Sequence, residues 1–266
     1  MADNNELLAL ALKAAQAATL LVRERREGVV EVAATKSTAT DVVTQADKDS
    51  EELIRSIVLS ARPDDGFLGE EGDDIVGSSG VRWIVDPIDG TVNFLYGIGR
   101  YAVSIAAESD GEVVAGVVVD VPRGVTFSAV RRDRVVVSMR DGEPIAAREP
   151  VELGHQLVLT GFSYDSAVRA RQGKAVATLL PQVRDIRRIG AAALDLCSVA
   201  EGTADAYVEE GLNPWDYAAG GLIAEGAGAR WRLFDHPTGR PVMVCTPADS
   251  FDEFVALVNT AGFLRE

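Results

Sequence analysis

The stretch WIVDPIDGTVNF, Trp83 to Phe94, sets two carboxylates, Asp86 and Asp89, either side of Pro87-Ile88 and just ahead of Gly90. Proline fixes φ at its own position, and glycine lets the backbone come close to a ligand. A kink of this kind can aim both aspartates and the intervening Ile88 carbonyl at one point. Such a set suits Mg²⁺, which takes near-octahedral oxygen ligation from one or two carboxylates, water and substrate phosphate. A helix starting near Gly90 and Thr91 would turn its unpaired N–H groups toward the same point, where a phosphate would be held. Two further acids occupy comparable places. Glu70 lies in GEEG (Gly69–Gly72) at the end of a predicted strand, and Asp216 follows Trp215 at the start of a predicted helix, an end that favours an anion. Each motif alone has a plainer explanation. Asp-Pro and Asp-Gly punctuate turns, GEEG suits a solvated acidic loop, and Trp-Asp suits a packed indole beside a capping acid. Asp47 is most simply a first-turn acid and Lys36 a surface lysine. Their occurrence together and in order is what favours a site.

The chain has 266 residues, 47% of them hydrophobic, with 41 acids against 26 bases and a formal charge of −15. That length supports one large domain or two intimate halves around a substantial core. No basic stretch is available to displace phosphate counterions, so no nucleic-acid partner is expected. A small anionic substrate stays open, because a bound cation can reverse the local field. Cys197 and Cys245 are the only cysteines, which argues against a disulfide framework and for a reducing, cytoplasmic setting. The apolar run near the N-terminus is broken by Lys13 and Gln16 and preceded by acids, unlike a signal peptide. No segment reads as a bilayer span, so no membrane partner is expected.

The elements that must position these acids are legible in outline. The first ~25 residues fit a helix, with Asn4 or Asn5 as N-cap and Gly28 as stop. A second helix starts at Thr44, where TQAD matches a capping box, and ends before Pro63. GFLGEEG and VRWIVD are short strands, followed from Tyr101 to Ile145 by a meander of four strands. Beyond it, strands at QLVLTGF, DIRRIG, ADAYVEEG, WRLFD and VMVCTP alternate with helices at about 166–180, AAALDLCSVAEG, WDYAAGGLIAEGAGA and about 250–259. Mixed α+β or layered α/β follows, in two halves, 1–150 and 151–266, meeting near residues 145–155.

On DVVTQAD (Asp41–Asp47), GEE (Gly69–Glu71), WIVDPIDGTVNF, RRIGAAALDLCSVAEGTADAY (Arg187–Tyr207) and WDYAAG (Trp215–Gly220), the sequence resembles the inositol monophosphatase family from about residue 5 to 260. These are magnesium-dependent, lithium-sensitive phosphatases. The resemblance implies the layered αβαβα sugar-phosphatase fold, commonly a homodimer, formed as one compact catalytic unit. It implies two or three Mg²⁺ ions on Glu70, Asp86, the Ile88 carbonyl, Asp89 and Asp216. It further implies in-line attack on phosphorus by a metal-activated water, helped by Glu70, Thr91 and Asp47, with Asp47 accepting from the Thr91 hydroxyl. The amides of Gly90 and Thr91 would hold phosphate oxygens. Substrate contacts would come from Asp89, Asp216, Ala192 in Gly190-Ala191-Ala192, and Glu209. A one-residue slip would exchange Glu209 for Glu210, and Ala192 suits helix packing as readily as a ligand.

Two departures stand out. SAVRRDRVVVSMRDGEPI lacks the family's glycine-rich hairpin, and AEGAGA (Ala224–Ala229) brings Glu225 one place early. The implied activity is hydrolysis of myo-inositol 1-phosphate or a related polyol phosphate. Related family activities, on fructose 1,6-bisphosphate, histidinol phosphate or NADP, are alternatives. So is a metal-binding regulatory protein without turnover, since bacterial members of the family can bind transcription machinery.

Overall fold

The computed structural model describes residues 3–28, 32–35 and 42–264; Lys36 and Asp41 lie outside them. The first helix, α1 (Asn4–Glu27), is capped by Asp3, whose carboxylate accepts the Asn5 amide, and not by Asn4 or Asn5. By length and hydropathy α1 would be able to cross a bilayer, contrary to the expectation that no segment would. Its stripe of Leu7, Ala11, Ala14, Ala18 and Val22 is fully buried in the protein core instead, as the 3.6-residue period dictates. After β1 (Val32–Thr35) and its antiparallel partner β2 (Val42–Thr44), α2 (Gln45–Ala61) begins with the expected capping box between Thr44 and Asp47.

Then come β3 (Gly66–Gly69), β4 (Val81–Asp89), α3 (Thr91–Tyr96), β5 (Ala102–Ser109), β6 (Glu112–Asp120), β7 (Val125–Arg132), β8 (Val135–Arg140) and β9 (Glu143–Pro144). Their seven strands pair in sequence order, β3–β4 parallel and the rest antiparallel. The edge without the family's glycine-rich hairpin turns at Asp133 and Gly142, both at positive φ, and ends in the two-residue β9. The chain continues through β10 (Leu157–Thr160), α4 (Ser166–Leu179), β11 (Asp185–Arg187), α5 (Ala192–Ala200), β12 (Ala206–Glu210), α6 (Pro214–Gly226), β13 (Ala229–Phe234), β14 (Val242–Pro247) and α7 (Phe251–Ala261). These five strands form a second, mixed sheet in the order β11-β10-β12-β14-β13.

Strand alternation sorts the core into three layers. α1 and α2 pack on one face of the larger sheet, against Trp83, Val85, Val103, Ile105, Val117 and Val119. α5 and α6 lie between the sheets, where Ile84, Ala106 and Val118 from one meet Leu159, Tyr207 and Cys245 from the other. On the outer face of the smaller sheet, the intervening residues Val158, Val208 and Val244 pack with α4 and α7. The result is the expected layered αβαβα fold.

The small residues of α6 are what let it sit between two sheets. A Cβ on Gly116 of β6 would stand 3.0 Å from the Ala219 Cα, and one on Gly220 would stand 2.9 Å from the Leu196 side chain of α5. Glu225, the early acid, pairs with Arg131 of β7 through two contacts of 3.0 Å. Since α6 carries Asp216 in its first turn, its seating on β6 also sets the position of that acid. Gly116→Val should therefore lower the urea midpoint by the equivalent of about 1–3 kcal/mol, the usual cost of overpacking, despite valine's preference for strands. An unchanged midpoint would show that the sheet and helix have room to spare.

Candidate active site

The kink in DPIDG is a β-bulge. Asp86 pairs with Ser104 but Asp89 pairs with Ala102, so β4 spends one residue more than β5 over this span. A bulge re-aims side chains, and here the freed Ile88 amide turns back to Asp86 Oδ1 at 3.1 Å. Gly90 follows at φ 88°, where a Cβ would meet the Gly190 carbonyl at 3.0 Å and the Arg100 carbonyl at 3.1 Å. Only glycine meets both demands, and α3 can then start at Thr91.

Glu70, Asp86, Ile88, Asp89, Gly90, Thr91, Ala192, Glu209 and Asp216 all line one cavity of about 630 Å³, a size ordinary for a small-molecule site. Asp47 does not line it. It is fully buried behind Thr91, accepting from the Thr91 hydroxyl at 3.1 Å on Oδ1 and from the Thr44 amide at 2.8 Å on Oδ2. It is thus both the first-turn acid of α2 and the acceptor for Thr91, two descriptions that sequence alone held as rivals. Burial, opposed by the Thr44 hydrogen bonds, pushes its carboxyl up to about 6.

The remaining acids are crowded. Burial raises the Asp86 carboxyl well above its ordinary range, and the charges of Glu70, Asp89 and Asp216 raise it further. Burial pushes Asp89 up to about 7, against the Ala193 amide that favours its charged form. Asp216 is raised by burial and by Glu70, while the Asn213 amide, 2.6 Å from its Oδ2, works the other way. No lysine or arginine figures among these influences. Among the described residues no three acidic, histidine or cysteine groups close on a single point. The acids are instead held by their neighbours along one wall of the cavity. The fit to a metal rests on donor chemistry: four carboxylates and a carbonyl, all oxygen, are what hard cations such as Mg²⁺ take.

The polyol contacts inferred from the resemblance are spread around the same wall. The amides of Ala192 and Ala193, at the start of α5, donate to Asp89 at 3.1 and 2.8 Å, so Ala192 lines the cavity with its N–H already engaged. Glu209 and Glu210 separate by strand alternation. The Glu209 carboxylate accepts from the Tyr207 hydroxyl at 2.8 Å and acts by its charge on Asp89 and Asp216. Glu210 instead enters a buried pairing with Arg171 and Gln172 of α4. Glu209 is therefore the one on the side of the acidic wall. Sequence reasoning passes over Arg188 and Arg240, which also line the cavity, and over Asp195. The last is 1% exposed, and neither of its oxygens has a hydrogen-bond partner. An acid in an otherwise apolar helix turn was the available signal for it.

Comparison with known proteins gives a consistent picture. The chain matches the inositol monophosphatase family over residues 3–250. It is 44% identical over 232 residues to the inositol-1-monophosphatase SuhB of Mycobacterium tuberculosis, covering 84% of this chain and 80% of that one. It is 35% identical over 227 residues to the Nus factor SuhB of Pasteurella multocida, covering 84% of each. The crystal structure of the extragenic suppressor protein SuhB from Bartonella henselae superposes with a TM-score of 0.86 at 31% identity, over 96% of this chain and 98% of that one.

Asp195 gives a pH test that needs no ligand. Burial, then the charges of Glu209 and Asp89, raise its carboxyl well above the ordinary range, so the folded chain keeps a proton that the unfolded chain releases above about pH 4. A raised folded-state pKa contributes stability that is complete below the unfolded value and is lost as pH rises through the folded one. Asp195→Asn keeps the shape and removes the ionisation. In urea titrations with EDTA, the variant should gain stability relative to the parent between about pH 5 and pH 8. A difference that stays flat with pH would mean Asp195 is already ionised in the folded protein.

Proposed function

Because the chain belongs to the inositol monophosphatase family, we propose that it is a magnesium-dependent phosphomonoesterase acting on myo-inositol 1-phosphate or a related polyol phosphate. The observation that carries this reading is the wall of mutually repelling carboxylates, buried at Asp86 and Asp89 and half-buried at Glu70 and Asp216, together with the Ile88 carbonyl, in a cavity of small-molecule size. Glu70, Asp86, the Ile88 carbonyl, Asp89 and Asp216 would hold two or three Mg²⁺ ions, whose chemistry is to neutralise phosphate charge and acidify a nucleophilic water.

The chain's own groups do the positioning. Thr91 orients the attacking water: its hydroxyl donates to Asp47, which leaves an oxygen lone pair to accept from that water. Asp47 is a positioning residue, kept in place by Thr44. The first amides of α3, at Gly90 and Thr91, hold phosphate oxygens, since the opening N–H groups of a helix lack intrahelical acceptors. The hydroxyls of the alcohol meet Asp89 and Glu209. Neither buried cysteine takes part, because burial raises the thiols of Cys197 and Cys245 and keeps them protonated.

A regulatory role without turnover is the competing reading, favoured by the Nus factor names of several relatives, that of Pasteurella multocida among them. Phosphate release from inositol 1-phosphate, fructose 1,6-bisphosphate, histidinol phosphate and NADP, with and without Mg²⁺, separates the two. Release should depend on Mg²⁺ and be inhibited by millimolar Li⁺. Asp89→Asn should lower kcat at least ~10³-fold, about 4 kcal/mol of barrier, while the circular dichroism of the fold survives. An Asp89→Asn variant with full Mg²⁺-dependent rate would sink the assignment, and Mg²⁺ binding without any release would move it to the regulatory reading. A second check concerns the water. Thr91→Ala and Asp47→Asn should each reduce kcat by about 10²-fold or more, and the double variant by little beyond the worse single one. Multiplicative losses would show that Asp47 does not act through Thr91.

A further inference from the structure

GEEG sets Glu70 between two glycines, and what makes those glycines necessary lies in α2. Three polar residues of α2 are buried: Asp47, Ser50 and Glu51. Each reaches a different segment of the acidic wall. Asp47 takes the Thr91 hydroxyl at the start of α3. The Ser50 hydroxyl donates to the Pro87 carbonyl, inside the bulge, at 3.2 Å. Glu51 Oε2 accepts the Glu71 amide at 2.8 Å, and the Gly72 amide donates to the same carboxylate.

The GEEG turn is wrapped closely around Glu51. A Cβ on Gly69 would run into the Glu51 carboxylate, and one on Gly72 would stand 2.7 Å from its Oε1. Neither glycine serves a left-handed backbone, so space is what they provide. Arg55, one turn along α2, closes the other side of the carboxylate, with Nη2 2.6 Å from Oε1. Its guanidinium also lies 4.9 Å from the centre of the Phe67 ring of β3. Glu51 is 2% exposed, and a charge so buried is tolerated only with partners of this kind.

Glu70 is therefore held from both sides. Its own amide donates to the Val85 carbonyl at 3.2 Å, continuing the pairing of β3 with β4. The next amide along belongs to Glu51. The charge of Glu70 raises the Glu51 carboxyl, so the two acids repel. What Glu51 offers Glu70 is its grip on the turn.

We propose that Glu51 is a positioning residue for Glu70, fixing through the amides of Glu71 and Gly72 where the Glu70 carboxylate stands in the cavity wall. That this carboxylate then serves Mg²⁺ rests on the phosphatase reading. Groups that orient a metal's ligands from behind govern metal affinity or activity by about 10–100-fold. A contact of structural value alone would stabilise the fold without touching that affinity.

Glu51→Gln keeps the size but presents one oxygen in place of two, and Glu51→Ala presents none. In EDTA, the amides of Glu71 and Gly72 should be protected from hydrogen exchange in the parent. They should exchange ~10-fold faster or more in Glu51→Ala, the scale of one charge-assisted hydrogen bond, with Glu51→Gln between. Amides inside α2 should stay protected in both variants, which shows the helix intact. Calorimetric titration with Mg²⁺ alone should find the affinity for at least one ion lowered about 10–100-fold in Glu51→Ala. If that variant does not fold, Glu51→Gln carries both measurements. An unchanged Mg²⁺ affinity beside a lowered urea midpoint would overturn the proposal and leave Glu51 as a structural tie between α2 and the turn. So would Glu71 and Gly72 amides that exchange as fast in the parent as in the variants. A parent that binds no Mg²⁺ would overturn the phosphatase reading instead, and the exchange result alone would then decide whether Glu51 fixes the turn.

Discussion

The first amides of α5 need an acceptor, and the helix has none of its own. Its N-cap is Ala191, which offers no side-chain oxygen, so two N–H groups would be left bare in a buried place at a cost of about 1–3 kcal/mol each. Asp89, from the bulge of the other sheet, supplies both acceptors. Asn93 repeats the connection from α3, donating to the Ile189 and Arg100 carbonyls at 2.9 and 2.7 Å. These contacts join the two sheets at the cavity. If the bulge relaxed, β4 would lose its aim and α5 its cap together. The site is therefore inseparable from the seam that closes the fold.

The same economy recurs at the other acids. Asp47 and Asp216 occupy the third position of α2 and α6 and complete capping boxes with Thr44 and Asn213. Each capping bond draws on one oxygen, and in Asp47 the other takes the Thr91 hydroxyl. The amides and the helix dipole favour the ionised carboxylates, which partly offsets the cost of burying several negative charges together. What they do not offset is the mutual repulsion around Asp86. Removing such charges would stabilise an ordinary core. Their retention here is the kind of local disagreement with folding rules that marks a functional site.

How far the sequence discloses this depends on whether the physics is local. The kink at Asp86–Gly90, the capping box at Thr44 and the small-residue character of α6 are written in adjacent residues, and each was readable. The pairing of Thr91 with Asp47 spans 44 residues, and that of Asp89 with Ala193 spans 104. No periodicity reports such contacts, and only the family resemblance anticipated the first. Glu209 and Glu210 were indistinguishable until β12 showed which face each occupies. The N-terminal helix was mistaken at its cap because Asp3, Asn4 and Asn5 are all good capping residues. The pair β1–β2 was missed because such short strands carry little pattern. Arg188 and Arg240 became visible only when the fold placed both on one cavity.

The two sheets divide the labour of recognition. On the proposed reading the larger sheet and α6 would carry the acids of the phosphate end, Asp86 and Asp89 fixed by the bulge and Asp216 by a helix terminus. The smaller sheet would carry the alcohol end on a strand and on loops, where Glu209, Arg188 and Arg240 line the cavity. Its rigidity comes from the cluster of Arg171, Glu210 and His236 behind the loop, of which Glu210 alone borders the cavity. Side chains at the mouth can then differ without disturbing either the seam at Asp89 or that buried cluster. Substrate preference can thus shift through one or two exposed residues while the acidic wall stays as it is.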